Sequence, residues 1–507
     1  MTDKIYPTGL LKTLITLSVM LVTIIEILDM TIVNVALPQM MGQLGASSDQ
    51  ITWILTSYIV SSAIVMPLTG FLVARFGRRK LLLIDIVGFL TASILCGMST
   101  SLSMMVIFRT LQGLFGASLV PMSQYILRDT YPPNEQGKAM AIWGFGVMVA
   151  PVLGPTLGGF ITEWLNWRWV FFINIPVCII AFMLTLQSIS ETATEHTKID
   201  ITGLILMATG VGALQMFLDR GNSSDWFSSN FIILMAFTAL FCLLFFIVRG
   251  INKADNIINL SLFKNRNFSI STVMLTFYSM GVIGIISLQP LLLEHLLGYT
   301  AQTAGLAMAP RGVSAAVSMV LTGILLNRVD MRWLLLIGVI ISDLGTYMMC
   351  SINLETSFSY LAWQGVVQGF GMGFFFVPIS TLALSDLRPA QVAEASGLFS
   401  FGRSLGCSMG ISILTTVITQ ESQINWNRLA GHLNAASFEL KHWLAVQRLP
   451  LSSSTTLAKL SGLVADQASM IAFLDAFWLV AISFSLLIPC VFLLKKAKPM
   501  KGAAGMH

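Results

Sequence analysis

Two carboxylates, Glu26 and Asp29, stand inside an apolar run from Leu14 to Leu37 that carries no other charge. A run of about 20 apolar residues is enough to cross a bilayer as a helix. Three positions apart, the two side chains share one helix face. Charge at the centre of a bilayer is costly and is seldom left facing lipid. That face is therefore expected to look into a protein interior or a watery cavity. Two carboxylates that close would couple and could hold one proton between them. Such a pair can carry protons, and it can also balance the charge of a cationic ligand. The plainer alternative is a structural carboxylate tied to a helix-packing donor.

Four further charges interrupt apolar runs: Arg109, Arg311, Asp343 and Arg403. Arg109 stands only a few residues into its run. It either snorkels to the nearer interface or faces a cavity and sets the protonation of a carboxylate. Arg311 and Arg403 could pair with carboxylates of the chain or with an anionic substrate. Asp343 is a candidate second proton or cation site. Each of these is equally readable as a buried polar tie between helices.

Composition sets the solvent these groups must live in. The chain has 507 residues, 55% hydrophobic and 10% charged, where a soluble protein carries about 25% charged residues. It is expected to be an all-α polytopic membrane protein, because the apolar runs lack the period-2 alternation of a porin-type barrel. The formal net charge of +5 does not point to nucleic acid, since the basic residues sit in short segments between runs. The six cysteines fall in apolar runs without CxxC spacing and read as packing residues. No HExxH or clustered His/Cys pattern suggests a metal. No GxxxxGK[ST] loop suggests direct ATP drive, so no cofactor is expected. No cleavable signal peptide is visible, and the first run is expected to serve as its own signal. Phe (32), Met (28) and Trp (11) abound; most must pack or face lipid, and some must line any cavity, where they suit varied apolar ligands.

Fourteen spans are expected: 13–37, 51–73, 81–99, 105–127, 138–161, 169–189, 201–219, 230–250, 269–291, 301–327, 331–351, 358–382, 393–419 and 471–494. An even count places both termini on one side. Most of the 29 Lys and Arg then fall on that side, which the positive-inside rule makes cytoplasmic. In this orientation Asp85 reads as interfacial at the inner end of its span. Asp475 lies near the outer end of the last span and reads as facing an outer vestibule.

An internal repeat is legible. Gln112-Gly113 followed by Pro121 matches Gln368-Gly369 followed by Pro378, and the segment Gly70–Arg75 matches Gly323–Arg328. The division expected is a six-helix bundle over 1–200, two inserted helices over 201–250, and a second six-helix bundle over 251–507. Repeated bundles around a central site are a transporter architecture. Residues 420–470 form a polar external loop longer than a connector needs. Within it Trp426, Leu429, Leu433, Phe438, Leu440, Trp443 and Leu444 suggest amphipathic helix. A membrane-embedded lipid-modifying enzyme is the reading from another class, but no catalytic polar cluster at a membrane face supports it.

Four stretches carry a family resemblance: LDMTIVNVALP (28–38), GFLVARFGRRK (70–80), FRTLQGLFGASLVP (108–121) and APVLGPTLGGF (150–160). They resemble the motifs of the major facilitator superfamily. With the span count, the long loop and DQASMIAFLDAF (466–477), the chain is similar to the fourteen-helix drug:proton antiporters of the EmrB type. The resemblance implies a major facilitator fold that exports drugs against protons, not an enzyme. It implies a carboxylate at Asp29 and a proton-coupling arginine at Arg109, in the motif that holds Gln112; Glu26 lies outside the motif. It implies an outer-gate hinge in the stripe of Gly146, Pro151, Gly154, Pro155, Gly158 and Gly159. Gly70, Arg75, Gly77 and Arg78 would form the cytoplasmic turn between spans, with Ala74 where the family usually has Asp, so its usual charge lock is in doubt there. The resemblance further implies a bacterial inner membrane, a periplasmic adaptor protein on the external loop, and an outer-membrane channel. A dedicated exporter of one metabolite, such as a siderophore or fatty acid, is the second reading within transport.

Overall fold

The computed structural model describes residues 6–194, 200–252, 257–326, 328–433, 437–447, 450 and 453–496. The architecture is all-α, and no strand occurs among the described residues. In chain order α1 is Gly9–Leu44, α2 Trp53–Phe76, α3 Arg78–Met98 and α4 Leu102–Thr130. The helix α5 is Gln136–Trp164. Then come α6 Trp169–Ser188, α7 Ile201–Arg220, α8 Asn230–Gly250, α9 Arg266–Leu296 and α10 Gln302–Leu325. The chain ends with α11 Met331–Met349, α12 Phe358–Ser385, α13 Val392–His432 and α14 Ser454–Leu493. Thirteen helical stretches among the described residues are long and apolar enough to cross a membrane. They coincide with every expected span but the fifth, which falls on α5, a helix of 29 residues.

Two groups of helices pack mainly within themselves. In the first, α1 lies against α4, α5 and α6, and α4 lies against α2 and α3. In the second, α12 lies against α10 and α11, and α13 lies against α9 and α14. The pair α7–α8 rests on α2. Of the thirteen stretches α8 is the most apolar and the least buried, and Phe237, Phe241 and Phe245 are all exposed on it, as lipid contact requires.

Both ends of the described chain lie on one face. Lys12 pairs with Glu135 there. The Lys495 amide donates to Asn267 Oδ1 (2.8 Å), whose Nδ2 donates to Asp386 Oδ2 (2.8 Å). On this terminal face the two groups meet. Gly70 abuts the backbone of Glu394 so closely that a Cβ would clash, and Gly137 abuts Leu326. Deeper in, Trp143 of α5 stacks on Phe376 of α12 with centroids 5.4 Å apart. Gly77 turns the chain from α2 into α3 at φ +79°, a conformation that favours glycine. Arg78 then donates to Asp129 (2.6 Å) and to the Ser190 carbonyl (2.8 Å), so a charge contact forms at this turn even with Ala74 in place. Arg75 is exposed on the same face.

The expected loop over 420–470 is largely helical. The helix α13 continues to His432 as a 41-residue helix, and α14 begins at Ser454 and runs for 40 residues. At 1.5 Å per residue each is about 60 Å long, roughly twice a ~30 Å hydrocarbon core. Their outer halves project beyond the membrane, bridged by the short helix Phe438–Gln447. On it Leu440 and Leu444 are buried, while Phe438 is 77% exposed.

Candidate functional site

The helix α1 carries Glu26 and Asp29 into the interior of the first group, and both are buried. From α4, the Arg109 guanidinium donates from Nη1 to Asp29 Oδ2 (2.6 Å). One helical turn on, Gln112 Nε2 donates to Asp29 Oδ1 (3.0 Å), and its own Oε1 accepts from Arg109 Nη1 (2.7 Å). From α6, Asn174 Nδ2 donates to Asp29 Oδ1 (2.9 Å) and also lies 2.8 Å from Ser93 Oγ on α3. Arg109 Nε donates to the Ile54 carbonyl (3.3 Å) on α2, and its plane stacks over Tyr58 at 4.4 Å. Two helices besides α1 thus bond one carboxylate, α4 and α6, and α2 and α3 hold the bonding side chains in turn. Such convergence is what makes a buried ion pair tolerable, because removing two charges from water is repaid only when the remaining donors are satisfied.

Glu26 does not share in this network. Its Oε1 accepts from Tyr58 (3.3 Å), and its Oε2 is buried without a partner. The expected proton-sharing pair is therefore two separate groups. Asp29 is locked to Arg109, while Glu26 keeps a free oxygen. The one-turn spacing put both on one helix face, but the partners on α4 and α6 reach only the deeper one. Arg109 does not snorkel; it is 1% exposed.

The small-residue stripe of α5 packs on α1. Gly146 meets Met20, Gly154 meets Thr31, and Gly158 meets Ile32. This close approach brings α1 and its carboxylates against the helix that also contacts the second group. Gly159 opens onto free space. Pro151 faces the other way, into the central cavity. The side chain of Pro155 lies outside the described residues.

That cavity, about 30 Å³, lies between the groups and is lined by Met148, Pro151, Tyr278, Arg311, Phe376 and Arg403. It has room for about two waters. Arg311, on α10, donates from Nη2 to Gln289 Oε1 (2.6 Å) on α9. Its expected pairing with a carboxylate of the chain is not found among the described residues. Two sequence expectations fall elsewhere. Asp343 is not in the cavity: it accepts from Ser485 Oγ (2.7 Å) in a groove between α11 and α14, beside Tyr347 and Trp478. Asp475 is exposed and touches no part of the cavity. Asp85 is buried rather than interfacial, accepting from Ser118 Oγ (2.5 Å) where α4 turns. Sequence reasoning missed Asn174, Tyr58 and Gln289. Asn174 and Gln289 carried a usable signal, as amides inside the apolar runs of expected spans 169–189 and 269–291.

A polytopic helical protein with a central cavity between two helix groups, and a buried charge network beside it, is a membrane transporter in architecture. The comparisons make the family definite: the Major Facilitator Superfamily profile matches residues 19–411, and the chain belongs to that superfamily. It is 39% identical to the fatty acid resistance protein FarB of Neisseria gonorrhoeae, over 97% of each chain. It is 37% identical to the multidrug export protein EmrB of Escherichia coli strain K12, over 97% of this chain and 96% of that one. Among solved structures it resembles the proton:xylose symporter XylE (TM-score 0.58, 15% identity, 94% of this chain and 96% of that one). It also resembles the human organic anion transporter MFSD10 (TM-score 0.60, 14% identity, 93% and 99%). At these identities the structural likenesses establish the fold.

Proposed function

We propose that the chain is a proton-coupled antiporter that exports amphipathic or hydrophobic drugs from the cytoplasm by alternating access. The observation that carries the reading is the Asp29–Arg109 pair, with both groups buried and every oxygen of Asp29 occupied. Protonating Asp29 would strand a buried guanidinium, and an unpartnered buried charge costs about 3–5 kcal/mol. That penalty is large enough to drive α1 and α4 into a second arrangement. Because α1 is packed on α5 through the glycine stripe, and α5 on α10 and α12, the change would reach the contact between the two groups. A ligand in the cavity that favours one arrangement then biases proton binding by the same free energy.

The groups 1–200 and 251–507 would rock about the cavity, with 201–250 as fourteen-span insertions. The terminal face, where the groups are closed in this conformation, would be cytoplasmic in a bacterial inner membrane. The helical projection of α13 and α14 on the opposite face suits a periplasmic adaptor protein, itself leading to an outer-membrane channel. The likeness to the fatty acid resistance protein FarB favours the second reading, a dedicated exporter of one metabolite such as a siderophore or fatty acid. Drug-induced proton release from purified protein tests the coupling. Wild type should release protons and Asp29→Asn should not, and an Asn variant that still drives export against a gradient would sink the proton role of Asp29. Deleting residues 433–453 should abolish adaptor pulldown while leaving export in proteoliposomes intact.

A further inference from the structure

We infer that Arg311, held by Gln289, and Arg403 form an anion site in the central cavity, and that the exported compounds are amphiphiles bearing a carboxylate. This rests on the exporter reading above and narrows its substrate class. Arg311 is 2% exposed, and of its donors only Nη2 has a partner, the neutral Gln289. Its Nε and Nη1 are buried with no hydrogen bond, as is the Nε of Arg403. A guanidinium presents five N–H donors and does not lose its proton, so Arg311 cannot relieve its burial by neutralising. Native interiors seldom leave such donors empty. Both guanidinium groups border the same cavity.

The local charge balance points the same way. Asp29 is cancelled by Arg109. What remains near the cavity is Arg311 and Arg403 against Glu26, which lies within electrostatic reach of Arg403. The surplus is positive. A cationic ligand would be repelled, and a neutral one would accept hydrogen bonds from Arg311 but leave its charge uncompensated. A carboxylate supplies acceptor oxygens and the missing charge together, in charge-assisted hydrogen bonds. The rest of the wall is apolar, with Val147, Val282, Ile283 and Ile286, so the body of the ligand is hydrocarbon. The cavity is too small for such a body in this conformation. The head-group site is built, and the tail must enter when the groups part.

The test is binding of radiolabelled dodecanoate to the purified full chain in phosphatidylcholine nanodiscs, with dodecanamide, dodecyltrimethylammonium and dodecyl phosphate as competitors. Dodecanoate should bind about tenfold to a hundredfold more tightly than the amide or the cation, the range expected of a hydrogen bond to a charged group. Arg311→Gln should erase that preference while still binding the amide, Arg311→Lys should retain part of it, and Arg403→Gln should reduce it. If Arg311→Gln does not fold, the lysine variant and Arg403→Gln carry the same readout. Equal affinity for dodecanoate and dodecanamide in wild type overturns the proposal, as does a preference that survives Arg311→Gln. Dodecyl phosphate binding at least tenfold tighter than dodecanoate also overturns it, because the site would then be one for phosphate. Proton-driven flux in proteoliposomes separates the two readings. Drugs that move without any carboxylate preference sink this inference alone, and a carboxylate preference with no proton-driven flux of any compound sinks the exporter reading alone.

Discussion

The two helix groups solve the same problem in opposite ways. In the first, a cation and an anion are both buried and bonded to each other: Asp29, Arg109, Gln112 and Asn174 close on one another. In the second, the repeat keeps the glutamine but not the pair. Gln368 stands where Gln112 does and donates to Thr346 (3.1 Å). The place of Arg109 is taken by Gly365, which lies against Arg311 arriving from α10. The positive charge is thus present in both halves, on different helices. Of these two arginines, among the described residues, only Arg109 is ion-paired with a carboxylate, Asp29, while Arg311 is not. A satisfied pair resists disturbance until a proton removes one charge. An unsatisfied guanidinium waits for an anion from outside. On the function proposed above, the proton would belong to the first half and the cargo to the second.

Breaking the satisfied side should have the largest effect. Arg109→Ala leaves the Asp29 carboxylate buried without a counter-charge and should destabilise the protein by about 3–5 kcal/mol, read as a lowered thermal midpoint in detergent. Adding Asp29→Asn to it should restore most of the stability without restoring proton release. Asn174→Ala removes one donor from a charged acceptor and should cost about 1.5–3 kcal/mol, with proton release retained but shifted along the pH axis.

The other half should respond with the opposite sign. Arg311→Met exchanges an unpartnered buried charge for an apolar side chain of similar reach. It should raise the thermal midpoint, by about 1 kcal/mol of stability, while abolishing dodecanoate binding. A loss of stability as large as that of Arg109→Ala would erase the contrast between the halves. The smallest effect is expected of Glu26→Gln, which keeps an acceptor for Tyr58 and should change stability by about 0.5 kcal/mol or less. By removing a carboxylate within electrostatic reach of Arg403 it should strengthen dodecanoate binding, measured in the same nanodisc assay. Weaker binding would mean that Glu26 serves the cargo rather than opposing it.

Much of this was legible from residues alone, and the failures have specific causes. Asp29 and Arg109 stood out because charge within an apolar run is costly wherever the chain goes, a local property. The external placement and helical character of 420–470 were legible, but the ends of α13 and α14 were misread, because polarity marks where a helix leaves lipid, not where it stops. Through Glu421, Asn425 and Arg428 the sequence turns polar while α13 simply continues. Asp85 was misplaced for a related reason: distance from a span's end measures depth along a helix, while burial depends on the neighbour, here Ser118 at the turn of α4.

The sequence by itself determined the solvent, the crossing helices, the family and the cost of each intramembrane charge, all of which follow from residue type and spacing along one helix. Only the tertiary structure decided which charges are paid in kind. Asn174 meets Asp29 across 145 positions, and Arg311 and Arg403 come together at one cavity from separate helices. Partnership depends on how faces of different helices are turned toward one another, and helical periodicity within a single segment does not encode that rotation.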